Sequence, residues 1–230
     1  MGPVPIRNAG QRLDPAAWVI YGDAYQDPGG WLEMTGIEKG KRGSIYNIQE
    51  FISKGNASIR FSFATGGGLG QGADGYAMTI LETDSLVELA DIVAAGKGGG
   101  GLGYGVGGGF GDFEGNAFTV EIDTFYNSAA MGHPHTDPTT QSHVAITTDG
   151  DPGNHVAWFA KANIEDLNWH DLRIDIKKTE VQIYYDDELI LTEDVPDLDF
   201  RGGYIFFSGS TGWDSNYHRA DNLEILHFCQ

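Results

Sequence analysis

Residues 116–146 read NAFTVEIDTFYNSAAMGHPHTDPTTQSHVAI. In an extended chain, alternate side chains share a face. Phe118, Val120 and Ile122 therefore point one way, into a core, while Thr119, Glu121 and Asp123 point the other. A strand rises roughly 3.3 Å per residue, so the two carboxylates lie within about 7 Å of each other. Two such charges on a half-buried sheet repel unless something lies between them, and a cation meets that need. Just beyond stand an amide, Asn127, a third carboxylate, Asp137, and an imidazole, His143, before a new strand begins at Val144. Oxygen ligands from Asp123, Asn127, Asp137 and a backbone carbonyl suit calcium. His143 with Glu121 suits a transition ion such as manganese, with carboxylates shared between the two ions. Composition alone favours a plainer reading: solvated acids on an edge strand and a histidine in a loop.

The same period of two recurs outward from this segment. Ile59, Phe61 and Phe63 alternate with Ser58, Arg60 and Ser62, and Leu172, Ile174 and Ile176 alternate with Arg173, Asp175 and Lys177. Val181, Ile183 and Tyr185 follow a Lys-Thr-Glu turn, and Tyr204 to Phe207 and Leu223 to Phe228 close the chain. Helical periodicity is confined to residues 84–95, which read as a short helix or a buried strand. Glycine is in excess, 34 of 230 residues, and clusters at 66–75 and 96–115. These clusters are long surface loops or places where backbone N–H groups approach a ligand closely. Neither holds a phosphate-loop pattern. Many short strands with glycine-rich connections predict a single all-β domain over 1–230, an antiparallel β-sandwich of jelly-roll type, with residues 1–15 as an N-terminal arm.

Charge narrows the partners. There are 33 Asp and Glu against 14 Lys and Arg, a formal charge of −19. Such a chain repels phosphate backbones and anionic lipid, so nucleic acid is a poor partner. No apolar run approaches the 18 or so residues of a membrane span, so membrane insertion is not expected. The single cysteine, Cys229, excludes an intrachain disulfide and a Cys-based zinc site.

The run Glu121 to Asn127, followed by Asp137-Pro138 and by His143-Val144-Ala145-Ile146, resembles the metal-binding segment of the legume lectins and related L-type lectin domains. Residues 72–77, GADGYA, are similar to that family's A-D-G-x-A loop. Residues 99–104 resemble its glycine-rich loop, and residues 206–212, FFSGSTG, its F-S-A-x-T-G strand. These motifs follow the family's order from about residue 58 to the C-terminus. The resemblance implies a concanavalin A-like sandwich and a Ca²⁺ beside a second ion, Mn²⁺ or another Ca²⁺. It implies Glu121, Asp123, Asp137 and His143 around the second ion, and Asp123, Asn127, Asp137 and the carbonyl of Phe125 around calcium. A sugar would be held by Asp74, Asn127 and the N–H of Gly101, with Phe125 against its ring. Asp74 would follow a cis peptide. Trp213 and Asp214 would open the specificity loop, where Trp213 and Tyr217 either stack on a second sugar or cap the core. Between Asn127 and Asp137 the chain is longer than the family pattern, and His133 and His135 in that insertion are either exposed loop histidines or contacts to metal or sugar.

The implied function is calcium-dependent binding of glycans or glycoconjugates, without catalysis, in an extracellular or cell-surface setting, bacterial or other, as part of a larger adhesin. Three rivals share the sandwich. Glucanases of the laminarinase type carry E-[ILV]-D-x-E, whose two glutamates do the chemistry. Here Phe125 stands at the last position and cannot transfer a proton. A peptide- or protein-binding adhesin head differs only in loops. A trafficking receptor domain of the secretory pathway is the third.

Overall fold

A computed structural model describes residues 12–53, 56–106, 117–195 and 202–228. In chain order its strands are β1 (Trp18–Gly22), β2 (Tyr25–Gln26), β3 (Leu32–Glu33), β4 (Arg42–Ser53), β5 (Asn56–Leu69), β6 (Gly75–Leu81) and β7 (Ala117–Asp123). They continue with β8 (His143–Thr148), β9 (His155–Ala160), β10 (His170–Lys177), β11 (Glu180–Tyr185), β12 (Glu188–Asp194), β13 (Gly202–Ser210) and β14 (Ser215–Phe228). One sheet has the order β1-β4-β13-β6-β7-β8-β9 and the other β12-β11-β10-β5-β14-β3-β2. Neighbours run antiparallel throughout.

The alternating runs set the facing surfaces. Phe61 pairs with Leu172 and Ile59 with Ile174, so one face of the second sheet is uniformly apolar. It meets Phe118, Val120, Ile122, Val144, Ile146 and Phe207 of the first sheet in one buried cluster. Phe61 and Phe207 touch edge to face across the layers, centroids 5.1 Å apart. Of the expected N-terminal arm, residues 1–11 lie outside the described residues, and Leu13 packs against this core.

The segment left open as helix or strand is a helix, α1 (Leu86–Ala95). Its start is capped by Ser85, whose side chain accepts from the Glu88 N–H, while Thr83 Oγ1 accepts the Ser85 N–H at 2.9 Å and donates to Glu88 at 2.6 Å. Leu89 and Val93, one turn apart, are the buried pair that seats it. With Leu102, Tyr104 and Val106 they cover Ala77, Ala117 and Phe206 on the outer face of the first sheet. The glycine-rich loop is tied to the same face by β13, whose Ser208 and Ser210 hydroxyls donate to the carbonyls of Leu102 and Gly99 at 2.9 and 2.6 Å. Residues 107–116 of that loop lie outside the described residues. This second layer decides the environment of the acids. β7 lies between β6 and β8, not on an edge, and the side of β7 bearing Glu121 and Asp123 is covered, so neither acid is solvated.

Candidate functional site

The site forms where three strands end together. Antiparallel register places Gly75 opposite Asp123, and Asp123 opposite His143. The Ala73–Asp74 peptide just before β6 is cis. Asp74 is held by its backbone, its N–H donating to Ser210 O at 3.0 Å and its carbonyl accepting from Thr124 N–H at 2.9 Å. Gly75 adopts φ +155°, and a side chain there would strike the Ile122 carbonyl at 2.4 Å.

Beneath the surface lies a nest of acids. Glu121, Asp123 and Asp137 are 0%, 2% and 5% exposed. Among the described residues, the ion-pair partners of Glu121 and Asp137 are histidines, with no Lys or Arg. Burial, then the charges of Asp137 and Glu121, push the Asp123 carboxyl well above its usual range. Asp74 is pushed up to about 7, by burial first and then by Asp214 and Asp137. Among the described residues, no positive side chain counts among the main causes of either shift.

Asp137 reaches this nest despite the lengthened loop. The Asn127 N–H donates to Asp137 Oδ2, and the Asp137 N–H returns to Asn127 O at 3.1 Å. That clamp closes residues 128–136 as a side excursion, opened by a 3₁₀ turn at Ala129–Met131. His135 Nε2 sits 3.4 Å from Asp137 Oδ1. Asp123 Oδ1 accepts the Phe125 N–H at 2.8 Å, and Asn127 Nδ2 donates to the Phe125 carbonyl at 3.2 Å. Asp123, Phe125 O, Asn127 and Asp137 thus assemble as an oxygen-rich set. Among the described residues, Asn127 Oδ1, Asp137 Oδ1, Asp74 Oδ2 and His143 Nε2 are buried without a hydrogen-bond partner. Buried polar atoms are almost always satisfied. Orphaned oxygens beside acids, and an orphaned imidazole nitrogen, fit divalent ions.

Above the nest opens a cleft of about 320 Å³, lined by Asp74, Phe125, His133, Trp213, Asp214, Gly99 and neighbours. Trp213 is 93% exposed, so it caps no core. Tyr217 instead stacks beneath Arg219, whose guanidinium lies 4.0 Å from the ring centroid. Asp214 accepts the Gln71 N–H at 3.0 Å and lies 3.5 Å from Lys39 Nζ, which pins the loop beside the cleft. Gly212 leaves room for Asp74, since a Cβ there would come within 2.8 Å of Asp74 Oδ2. Two of the residues named from sequence lie off the cleft wall. Asn127 is fully buried below it. Gly101 is buried and turns its N–H onto the Gly98 carbonyl at 3.3 Å, while Gly99 of the same loop lines the opening.

Two further residues bear on the acids and were not picked out as candidates. Tyr104 donates to Glu121 Oε2 at 2.6 Å and shares a 2.9 Å hydrogen bond with Thr147 Oγ1. His155 Nε2 lies 2.9 Å from Glu121 Oε1. Burial lowers the pKa of His155, but the hydrogen bond and charge of Glu121 more than offset this, and the net shift is upward. A slip in the β8–β9 pairing between Ile146 and Thr147 puts His155 opposite Thr147, on the face of Glu121. Counting by twos across an unbroken hairpin would have placed Val156 there.

No protein-family model matches the chain, and no curated protein matches its sequence. Solved structures do. The VIP36 exoplasmic/lumenal domain in its Ca²⁺/Man-bound form superimposes with a TM-score of 0.69 at 14% identity, covering 93% of this chain and 84% of that one. The basic winged bean lectin with Tn-antigen gives 0.72 at 17% identity, covering 94% and 95%. The lectin from Bauhinia forficata in complex with GalNAc gives 0.72 at 16%, covering 93% and 94%. The chain therefore has the L-type lectin fold, a jelly-roll sandwich of two antiparallel sheets.

Proposed function

We propose that this chain is a calcium-dependent glycan-binding domain whose sugar sits in the cleft over the acid nest. The observation that carries the reading is Asp74: a buried carboxylate with an unpartnered oxygen, beside two aromatic side chains, Phe125 and Trp213, directly above the oxygen-rich set. A carboxylate accepts two hydroxyl donors, and an aromatic face covers the C–H side of a pyranose ring. Asp74 and the backbone at Gly99 would grip hydroxyls, Phe125 would stack, and Trp213 and His133 would meet further parts of the ligand. Each contact is net small, of order 1 kcal/mol, so a single site binds weakly.

Asp123, Asn127, Asp137 and the Phe125 carbonyl would hold calcium. Glu121, Asp123, Asp137 and His143 would hold the second ion. Bound cations supply the positive charge that lets these acids stay ionised together. The chain's own part is to fix Phe125 and Asn127 through the Asp123 and Asp137 hydrogen bonds, and so to shape the cleft floor. The structural neighbours support the reading, since VIP36 is seen with calcium and mannose and the plant lectins with Tn-antigen or GalNAc. Hydrolysis is not proposed, because Phe125 offers no acid at the cleft. An extracellular, cell-surface or lumenal setting, where calcium is abundant, fits such a site.

A glycan array and a monosaccharide panel, run in Ca²⁺ with and without chelator, test this. The expected result is sugar binding that disappears on chelation and in Asp74→Ala. Sugar binding indifferent to chelator, or capture of peptide that no sugar competes for, would overturn it.

A further inference from the structure

Glu121, His143 and His155, on the last three strands of the first sheet, each offer a ligand atom within 4.8 Å of the others. Glu121 Oε1 is 2.9 Å from His155 Nε2 and 3.8 Å from His143 Nε2. Ligands about 2.1 Å from one ion sit about 3.0 Å apart at right angles and about 3.4 Å apart at the tetrahedral angle, both between those two values. The groups around the three atoms leave them facing one point. Tyr104 occupies Glu121 Oε2, so Oε1 is the oxygen that remains for an ion. His143 Nδ1 is hydrogen-bonded to the Gln141 carbonyl at 3.1 Å, which directs the lone pair to Nε2, and that atom is buried without a hydrogen-bond partner. The His155 ring is likewise hydrogen-bonded to the backbone at Gly153. Metal-binding histidines show this arrangement, one nitrogen held by an outer partner and the other presented.

We propose that His155 is a ligand of the second metal position, and that a second imidazole beside His143 and the carboxylates selects a zinc-class ion over calcium there. A simple ion pair between His155 and Glu121 leaves the buried His143 Nε2 unexplained, whereas one ion accounts for all three atoms. Calcium takes six to eight oxygens, while imidazole suits zinc, copper, iron and nickel. The inference rests on the two-ion reading above, and adds to it a ligand and an ion class.

The test uses chelator-stripped wild type and His155→Gln. Each is titrated calorimetrically with Zn²⁺ in saturating Ca²⁺, and with Co²⁺ while its visible absorption is read. We expect wild type to take up Zn²⁺ without release by Ca²⁺ and to give a Co²⁺ spectrum of mixed nitrogen and oxygen ligation. His155→Gln should weaken Zn²⁺ at least about tenfold, the lower end of what loss of an outer partner alone costs, with its Ca²⁺ affinity unchanged. Zn²⁺ bound equally by the two proteins, or displaced from wild type by Ca²⁺, would overturn the proposal. Should the variant fail to fold, ¹⁵N imidazole resonances of wild type decide. Zn²⁺ must shift both His143 and His155, and a His155 signal that stays put refutes its role. Zinc uptake without any calcium site would sink the calcium-dependent sugar reading and leave this one standing.

Discussion

Asp74→Asn offers a direct measure of what the candidate site costs the fold. Asp74 is 4% exposed, and its pKa is pushed up to about 7 from an ordinary value of 3.8. A carboxyl whose folded pKa is raised binds more protons folded than unfolded. Its contribution to stability is therefore present in full below the unfolded value and is lost as pH rises through the folded one. A span of about three pH units corresponds to about 4 kcal/mol by pH 7. Asparagine imitates the protonated acid and does not titrate. In chelator, the variant and wild type should have equal stability near pH 4, and the variant should be more stable by up to about 4 kcal/mol near pH 7. Comparing the two proteins at each pH removes the contribution of other groups, such as the buried His218, whose pKa burial lowers to about 3. Denaturant midpoints measured from pH 4 to 7 provide the assay. A difference between the two proteins that stays flat with pH, or a variant less stable at pH 7, would refute the reasoning. Sugar binding by the same variant should fall, since a carboxylate that accepts two donors becomes an amide.

Other expectations follow from the same geometry. Calcium at 100 times its Kd should stabilise the chelated protein by about 2.7 kcal/mol, a Tm rise of roughly 5–10 °C for a chain of this size; scanning fluorimetry that shows no change on adding Ca²⁺ counts against the ion set. Trp213→Ala should leave stability within about 0.5 kcal/mol, because the ring is exposed, while weakening sugar by about 0.5–1.5 kcal/mol. Equal titration curves for wild type and Trp213→Ala would remove Trp213 from the site. Tyr104→Phe strips a buried hydrogen bond from Glu121 and should cost about 1–3 kcal/mol in urea. A midpoint equal to wild type's would mean that the Tyr104 hydroxyl does not brace the carboxylate.

The sequence by itself determined which faces of the strands are apolar. It also put Glu121 and Asp123 on one face of β7, because a period of two is a local property of an extended chain and needs no knowledge of neighbours; His143 meets them only through the pairing of β7 with β8. The apolar run at 84–95 does not by itself separate a helix from a strand, and the Ser85 cap and the seat for Leu89 and Val93 settle it in the fold. The tertiary structure decided the rest. Glu121 is covered by Tyr104 of the glycine-rich loop and by His155 of β9, contacts that no local pattern shows. Asp137 reaches the nest through its clamp with Asn127, and spacing alone cannot show a loop turning back on itself. Gly99 lines the cleft, while Gly101 of the same loop is buried with its N–H on the Gly98 carbonyl. His155 faces Glu121 only because one residue is slipped in the β8–β9 pairing, and in a sheet a shift of one residue exchanges one face for the other.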